Sequence, residues 1–252
     1  MADLKSLMTE TRNKNTMNLD EMTPYEIVSV MNGEDEKVVK AVYHVLPEIS
    51  RTIELAIESL TRKGRIIYIG AGTSGRLGIL DAVECPPTFG VDYNTVVGVI
   101  AGGEAAFVKA KEGAEDSLEL GAEDLKKISL KREDIVIGLA ASGRTPYVIG
   151  AFRYASELGC RKVAISCNDN SEISKEADIA IELLTGPEVL TGSTRLKAGT
   201  AEKMVLNMIS TASMVGIGKV YQNLMVDVRT TNEKLVNRAE NIVMEAVGCN
   251  RE

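Results

Sequence analysis

Histidine and cysteine are scarce in this chain: His44 stands alone, and Cys85, Cys160, Cys167 and Cys249 form no C-x-x-C pair and no framework spacing. A zinc or iron site needs several such ligands at set distances, so no metal is expected, and no cofactor either. Scattered free thiols suit a reducing compartment. Positive charge is also short, with 29 Lys and Arg against 36 Asp and Glu and a net charge of −7. Nucleic acid and anionic membranes need a basic face, so neither is expected as a partner. The densest basic cluster (Lys126, Lys127, Lys131, Arg132) reads as a solvated helix end and loop. No apolar run approaches membrane-spanning length, and MADLKSLMTETRNKN lacks the apolar core of a signal segment. The expectation is a soluble cytoplasmic protein. Internal repeats, low-complexity segments and linkers are lacking too.

What is present is an ordinary globular composition, 44% apolar and 26% charged over 252 residues, enough for one large domain or two small ones. Residues 1 to about 24 are polar and aperiodic and read as an arm. From about Glu34 to Arg62 apolar residues recur at helical spacing (Val38, Val42, Leu46, Ile49, Ile53, Ala56, Leu60), with Pro47 expected to end or kink the segment. Five strand-like runs follow: Ile66–Gly70, Thr95–Ala101, Ile135–Ala140, Lys162–Ser166 and Ile179–Leu184. Unbroken Val/Ile runs separated by helical patterns predict parallel strands covered on both faces. The fold class expected is α/β, a doubly wound five-stranded parallel sheet flanked by helices. A long apolar helix is predicted from about Ala198 to Lys219 and a polar one near 231–247. The division expected is 1–62 as arm and helical segment, 63–220 as the sheet domain, and 221–252 as a C-terminal helical segment.

Three loops carry the same chemistry. They are Gly70-Ala71-Gly72-Thr73-Ser74-Gly75-Arg76, then Ala141-Ser142-Gly143-Arg144-Thr145-Pro146, then Thr191-Gly192-Ser193-Thr194-Arg195. Hydroxyls and backbone N–H groups at a helix start bind phosphate without a metal, and loops at the carboxyl ends of parallel strands gather on one edge. One such loop alone reads as an ordinary helix cap; three in one sheet favour a phosphate site. The candidate ligands are Gly72, Thr73, Ser74, Ser142, Gly143, Arg144, Thr145, Ser193 and Thr194, with Arg76, Arg195 and Lys197 as further cations. Gly70-x-Gly72-x-x-Gly75 also fits the dinucleotide fingerprint, but the second strand ends at Ala101-Gly102-Gly103 with no acid in place for a ribose, and Glu104 comes late. Glu104 reads as an N-cap neighbour, His44 as packing or surface, and Met204, Met208 and Met214 as core or dimer interface.

The loops in this order resemble the sugar isomerase (SIS) domain, which binds phosphosugars. The longer motifs GAGTSGRLGILDAVECPPTFG, IAGGEAAFVKAKEGAEDS, AASGRTPYVIGAFRYASELGCRKVAISCN, TGSTRLKAGTAEKMVLNM and NLMVDVRTTNEKL resemble the N-acetylmuramic acid 6-phosphate etherase family, from about Leu19 onward. That resemblance implies cleavage of the D-lactyl ether at C3, giving N-acetylglucosamine 6-phosphate and D-lactate in cell-wall sugar recycling or salvage. It implies a homodimer with shared active sites, and catalytic carboxyls at Glu84 in DAVECPP and Glu115 in EGAEDS. Members carry a further small helical segment that is not expected here, since the resemblance stops at Glu252. Elimination requires one carboxylate to remove the C2 proton of the open-chain aldehyde and one acid to protonate the departing oxygen. Glu84, after an apolar helix and against Cys85-Pro86-Pro87, is expected to favour its neutral form and act as the acid, with Glu115 as the base. The alternatives are a phosphosugar aldose–ketose isomerase, or a non-catalytic phosphosugar sensor or kinase-regulating protein.

Overall fold

The computed structural model describes residues 7–109, 111–228 and 233–250. Its strands are β1 (Ile66–Gly70), β2 (Val96–Ile100), β3 (Ile135–Leu139), β4 (Arg161–Ser166) and β5 (Ile179–Glu182), with a small hairpin, β6 (Val220–Tyr221) and β7 (Leu224–Met225), near the end. The helices are α1 (Pro24–His44), α2 (Leu46–Thr61), α3 (Gly72–Phe89), α4 (Ala105–Val108), α5 (Leu118–Lys127), α6 (Pro146–Leu158), α7 (Glu172–Lys175), α8 (Lys197–Gly216) and α9 (Glu233–Val247). The five main strands pair in parallel in the order β2-β1-β3-β4-β5. β1 and β3 are buried at every residue, whereas the edge strands β2 and β5 are only partly covered. The doubly wound α/β expectation holds, and each strand lies within two residues of its expected run.

The period of two sorts each strand between two cores. Ile66, Tyr68, Ile135, Ile137 and Ile165 pack with Val38, Ile49, Ala82, Val205 and Ile209 from α1, α2, α3 and α8. Ile67, Ile69, Val136 and Ala164 pack on the other face with Leu125, Tyr147 and Phe152 from α5 and α6. The helices following the neighbouring strands β1 and β3 therefore leave toward opposite faces. That reversal opens a crevice at the carboxyl ends of those strands, where ligands bind in such sheets.

Three expectations need correction. The segment before residue 24 is not an unstructured arm over its described part: it forms short 3-10 turns at Met8–Glu10, Lys14–Thr16 and Leu19–Glu21. Its polar groups are used up on the sheet's carboxyl edge, where Asn168 Nδ2 donates to Thr9 Oγ1 (3.1 Å), Asn13 Nδ2 to Pro187 O (3.2 Å) and Thr16 Oγ1 to Val189 O (2.8 Å). The first helix starts at Pro24 rather than near Glu34. Thr23 and Glu26 form a reciprocal capping box and Pro24 supplies a pre-set φ, a start signal independent of apolar periodicity. The expected break does fall at Val45, with Pro47 in the first turn of α2. Finally, α3 does not end at Glu84. Pro86 and Pro87 lie in its last turns, and Gly90, left-handed at φ 66°, closes the helix by donating to Pro86 O at 3.0 Å.

One ion pair ties these outer elements to the sheet edge. Lys197 at the start of α8 is fully buried, and its Nζ lies 2.6 Å from Glu34 Oε2 on α1. Burial pushes the Glu34 carboxyl up, but hydrogen bonds from Lys197, Lys37, Asn15 and Asn13 outweigh it and hold the group down at about 2. Removing one partner strands a buried charge, at about 3–5 kcal/mol, while replacing both with apolar groups of similar volume is close to neutral. Glu34→Leu is therefore expected to lower the urea-unfolding free energy by about that amount, and Glu34→Leu with Lys197→Met to recover most of it. A single-variant loss below about 1 kcal/mol would show that the pair does not anchor α1.

Candidate active site at the carboxyl edge of the sheet

The parallel ladder sets Gly70 opposite Ile100 on one side and Leu139 on the other, so the chain leaves three adjacent strands at one level. In the first loop Ala71 is the N-cap and offers no side-chain cap, leaving the first N–H groups of α3 without internal partners. Gly72 is left-handed at φ 54°, and the space a Cβ would take is empty. Gly75 faces the strand: a Cβ there would sit 2.6 Å from Gly70 O. Helix-to-strand packing thus accounts for the glycine spacing without a dinucleotide.

In the second loop Thr145 is the N-cap of α6 without a side-chain cap bond, ahead of Pro146, so its hydroxyl is free of the helix. Ser142 Oγ accepts from Arg144 N at 3.3 Å, and Asn168 Nδ2 holds the loop by donating to Ala141 O at 3.0 Å. Gly143 is left-handed at φ 72°, and Arg144 lies 3.9 Å from Glu172. The third loop meets the first: a Cβ built on Gly199 would be 3.5 Å from both Thr194 O and Thr73 Cγ2. Ser193 and Thr194 are half-buried there.

Several predicted ligands have other work. Ser74 is buried, and its Oγ is hydrogen-bonded to Glu202 Oε1 on α8 at 2.9 Å. Lys197 is spent on Glu34. Arg76 donates from Nε to Phe107 O (2.8 Å) and from Nη2 to Ala106 O (2.9 Å), pinning α4. The start of α8 is filled by the protein itself, because the buried Glu188 carboxylate accepts from Lys197 N (3.0 Å) and Ala198 N (2.9 Å). Burial raises the Glu188 pKa, and those two N–H groups offset only part of the rise. Arg195 stays exposed beside the loop.

Against the first loop lies a cavity of about 150 Å³ lined by Gly72, Arg76, Lys111, Glu112 and Glu115, among others. Glu115, in the 3-10 turn Ala114–Asp116, thus faces the start of α3. Lys111 and Glu112 lie inside the motif IAGGEAAFVKAKEGAEDS but are not among the candidate ligands, because no periodicity or helix start marks them. Glu84 is not brought to this cavity. It is exposed on α3, twelve residues beyond Gly72, or about 18 Å along the axis at 1.5 Å per residue. The neighbouring prolines continue the helix rather than close over it. A larger cleft, about 480 Å³, lies at the opposite edge of the sheet beside Arg62, Arg132 and Asp134; no strand-end loop reaches it. His44 is exposed at the end of α1. Met214 is core, while Met208 lines an apolar groove with Ile53 and Val215. Among the described residues no cluster of His, Cys, Asp or Glu could hold a metal ion, and no helix is long and apolar enough to cross a membrane.

Known proteins match this arrangement at two levels. Residues 48–156 fit the glucokinase regulatory protein N-terminal SIS domain, and residues 118–212 the SIS domain. An N-acetylmuramic acid 6-phosphate etherase of Bacillus mycoides is 62% identical over 249 residues, 99% of this chain and 85% of that protein. The protein of that name from Lactococcus lactis subsp. cremoris is 61% identical over 252 residues, with 100% and 85% covered. Among solved structures, a phosphoheptose isomerase from Francisella tularensis superposes with a TM-score of 0.58 at 14% identity, covering 77% of this chain and all of that one.

The two guanidinium bonds from Arg76 are the direct hold on the wall of the cavity. Hydrogen bonds to a charged group contribute about 1.5–3 kcal/mol each. Arg76→Met should therefore speed amide hydrogen exchange across 105–109 about ten- to a hundredfold, with little change in melting temperature. Unchanged exchange would mean that α4 is held by its apolar contacts alone.

Proposed function

The chain belongs to the N-acetylmuramic acid 6-phosphate etherase family and is a carbon–oxygen lyase acting on that phosphosugar; we propose that two copies build each active site, with Glu115 of one chain and Glu84 of the other exchanging the protons. The reaction yields N-acetylglucosamine 6-phosphate and D-lactate. The isomerase and sensor readings are not favoured, since relatives about 61% identical over the whole chain carry the etherase name.

The carrying observation is the separation of the two carboxyls. Proton transfer at C2 and C3, adjacent carbons, requires both groups within hydrogen-bond reach of neighbouring atoms. About 12 to 18 Å of helix lies between Glu84 and the residues Arg76 and Gly72 that line the cavity Glu115 faces. A second copy resolves the mismatch. The surface of α3 beside Glu84 supports this: Leu80 and Val83 are exposed, as are Tyr93 and Phe107, which share a groove with Val83. Val83, Tyr93 and Phe107 line a groove of about 430 Å³ that an apolar surface would fill.

The phosphate is held by the N–H groups of α3 with Gly72, Thr73 and Ser74, and by Ser142, Gly143, Arg144, Thr145, Ser193 and Thr194 from the sister loops. With the sugar open, the C1 aldehyde acidifies the C2 proton. Glu115 removes it, and Glu84 protonates the lactyl oxygen as the C3–O bond breaks. Water then adds at C3 of the unsaturated aldehyde, giving a proton to Glu84, while Glu115 returns one to C2. Free thiols at Cys85, Cys160, Cys167 and Cys249 support a reducing, cytoplasmic setting.

Glu84→Gln and Glu115→Gln are each expected to lower D-lactate release at least about a hundredfold. Unfolded and refolded together, the two inactive variants should regain roughly a quarter of parental activity, because half of random dimers are mixed and carry one intact site. Near-normal turnover of either variant would remove that residue from the chemistry. No regain in a mixture that demonstrably exchanges subunits would rule out sharing.

A further inference from the structure

Glu202 is a carboxyl that no step above uses. It lies near the start of α8 with 1% exposure, and Oε1 sits 2.9 Å from Ser74 Oγ in the first turn of α3. The charged groups around it are committed elsewhere. On its own helix Lys197 pairs with Glu34 of α1 at 2.6 Å, and Lys203 with Asp81 of α3 at 3.2 Å. Glu188, before α8, is turned onto backbone N–H groups. From the end of β4 comes the Cys167 thiol, pushed well up by burial and then by Glu202 and Glu188. Among the described residues, the neutral Ser74 is its hydrogen-bonding partner. Burial, which that hydrogen bond only partly offsets, raises the carboxyl to about 8, so at neutral pH it keeps its proton.

A serine hydroxyl has one hydrogen to give and two lone pairs to accept with. An ionised Glu202 would consume that hydrogen. A protonated Glu202 can donate instead, and the serine's hydrogen is then free to turn toward the mouth of the loop, where the α3 N–H groups already point. We propose that Glu202 is a positioning residue for phosphate: in its neutral form it donates to Ser74 Oγ, Ser74 gives its own hydrogen to a phosphate oxygen, and ionisation withdraws that donor. This rests on the reading of the Gly72–Gly75 loop as the phosphate site. It carries a linkage consequence: a bound dianion favours neutral Glu202, so binding above the acid's titration point draws in a proton.

Calorimetric titration of the full chain with N-acetylglucosamine 6-phosphate, a dianion throughout pH 7 to 9, reads this out. In the parent protein affinity is expected to fall about tenfold from pH 7 to pH 9, with net proton uptake at pH 8.5 in buffers of differing ionisation enthalpy. Glu202→Gln, whose amide can still donate to Ser74, should bind with affinity independent of pH and without proton uptake. Glu202→Leu should be pH-independent but weaker. Because the folded-state acid is raised above its ordinary 4.5, its stabilising contribution is full below that value and lost as pH rises through about 8. Glu202→Gln should therefore melt above the parent at pH 9 and not at pH 4. If Glu202→Gln fails to fold, Ser74→Ala supplies the same test, with weaker binding and no proton uptake. PH-independent parental affinity without proton uptake would overturn the proposal, as would a Gln variant that keeps the parental fall. A parent that neither binds the phosphosugar nor releases D-lactate would overturn the etherase reading instead.

Discussion

The register of β1 against its two neighbours carries everything else. With Gly70 level with Ile100 and Leu139, three chain exits share one rim. With α3 and α6 then leaving toward opposite faces, the rim opens instead of being covered. A ladder slip would turn every side chain of β1 to the other face, because strand side chains alternate with period two. Two separate cores, each using alternate residues of the same strands, make such a slip costly. The loop after β1 inherits its position from that packing, not from interactions of its own.

Around the rim, buried charge is handled in three ways. Lys197 and Glu34 neutralise each other and clamp α1 to α8. Glu188 satisfies the open N–H groups of α8, which closes that helix start to any outside anion. Glu202, whose hydrogen-bond partner among the described residues is a serine, meets the cost of burial by keeping its proton. Of the two helix starts flanking this corner, one is sealed by a carboxylate from the same chain and the other left open. That asymmetry leaves the N–H groups at the start of α3, and not those of α8, open to a ligand.

Much of this was legible in the chain itself. Isoleucine and valine runs mark the strands because a parallel strand covered on both faces has no solvent side to signal. Thr23-Pro24-Tyr25-Glu26 was an equally local signal, hidden by attention to apolar spacing alone. The double proline points the other way: Pro86 and Pro87 sit in the last turn of α3, where they forgo their own N–H bonds but only Gly90 remains to close the helix. Lys197 and Arg76 illustrate a different limit. Their charge and position next to glycine loops match an anion ligand, yet whether a cation meets a ligand or a buried acid depends on which distant segment lies opposite. For Lys197 that segment is Glu34, 163 residues away.

The amino-acid sequence by itself determined the parallel sheet, the three hydroxyl loops and the family, because apolar periodicity and contiguous motifs are local properties of the chain. Tertiary structure decided how those parts are used. It turned Ser74 onto a buried acid, spent two cations on structure, brought Glu115 to the cavity beside the first loop and left Glu84 further along α3 next to exposed Leu80 and Val83. Such outcomes depend on distances between segments far apart in the chain, and burial and pairing, which set charge and reach, exist only once those segments have met.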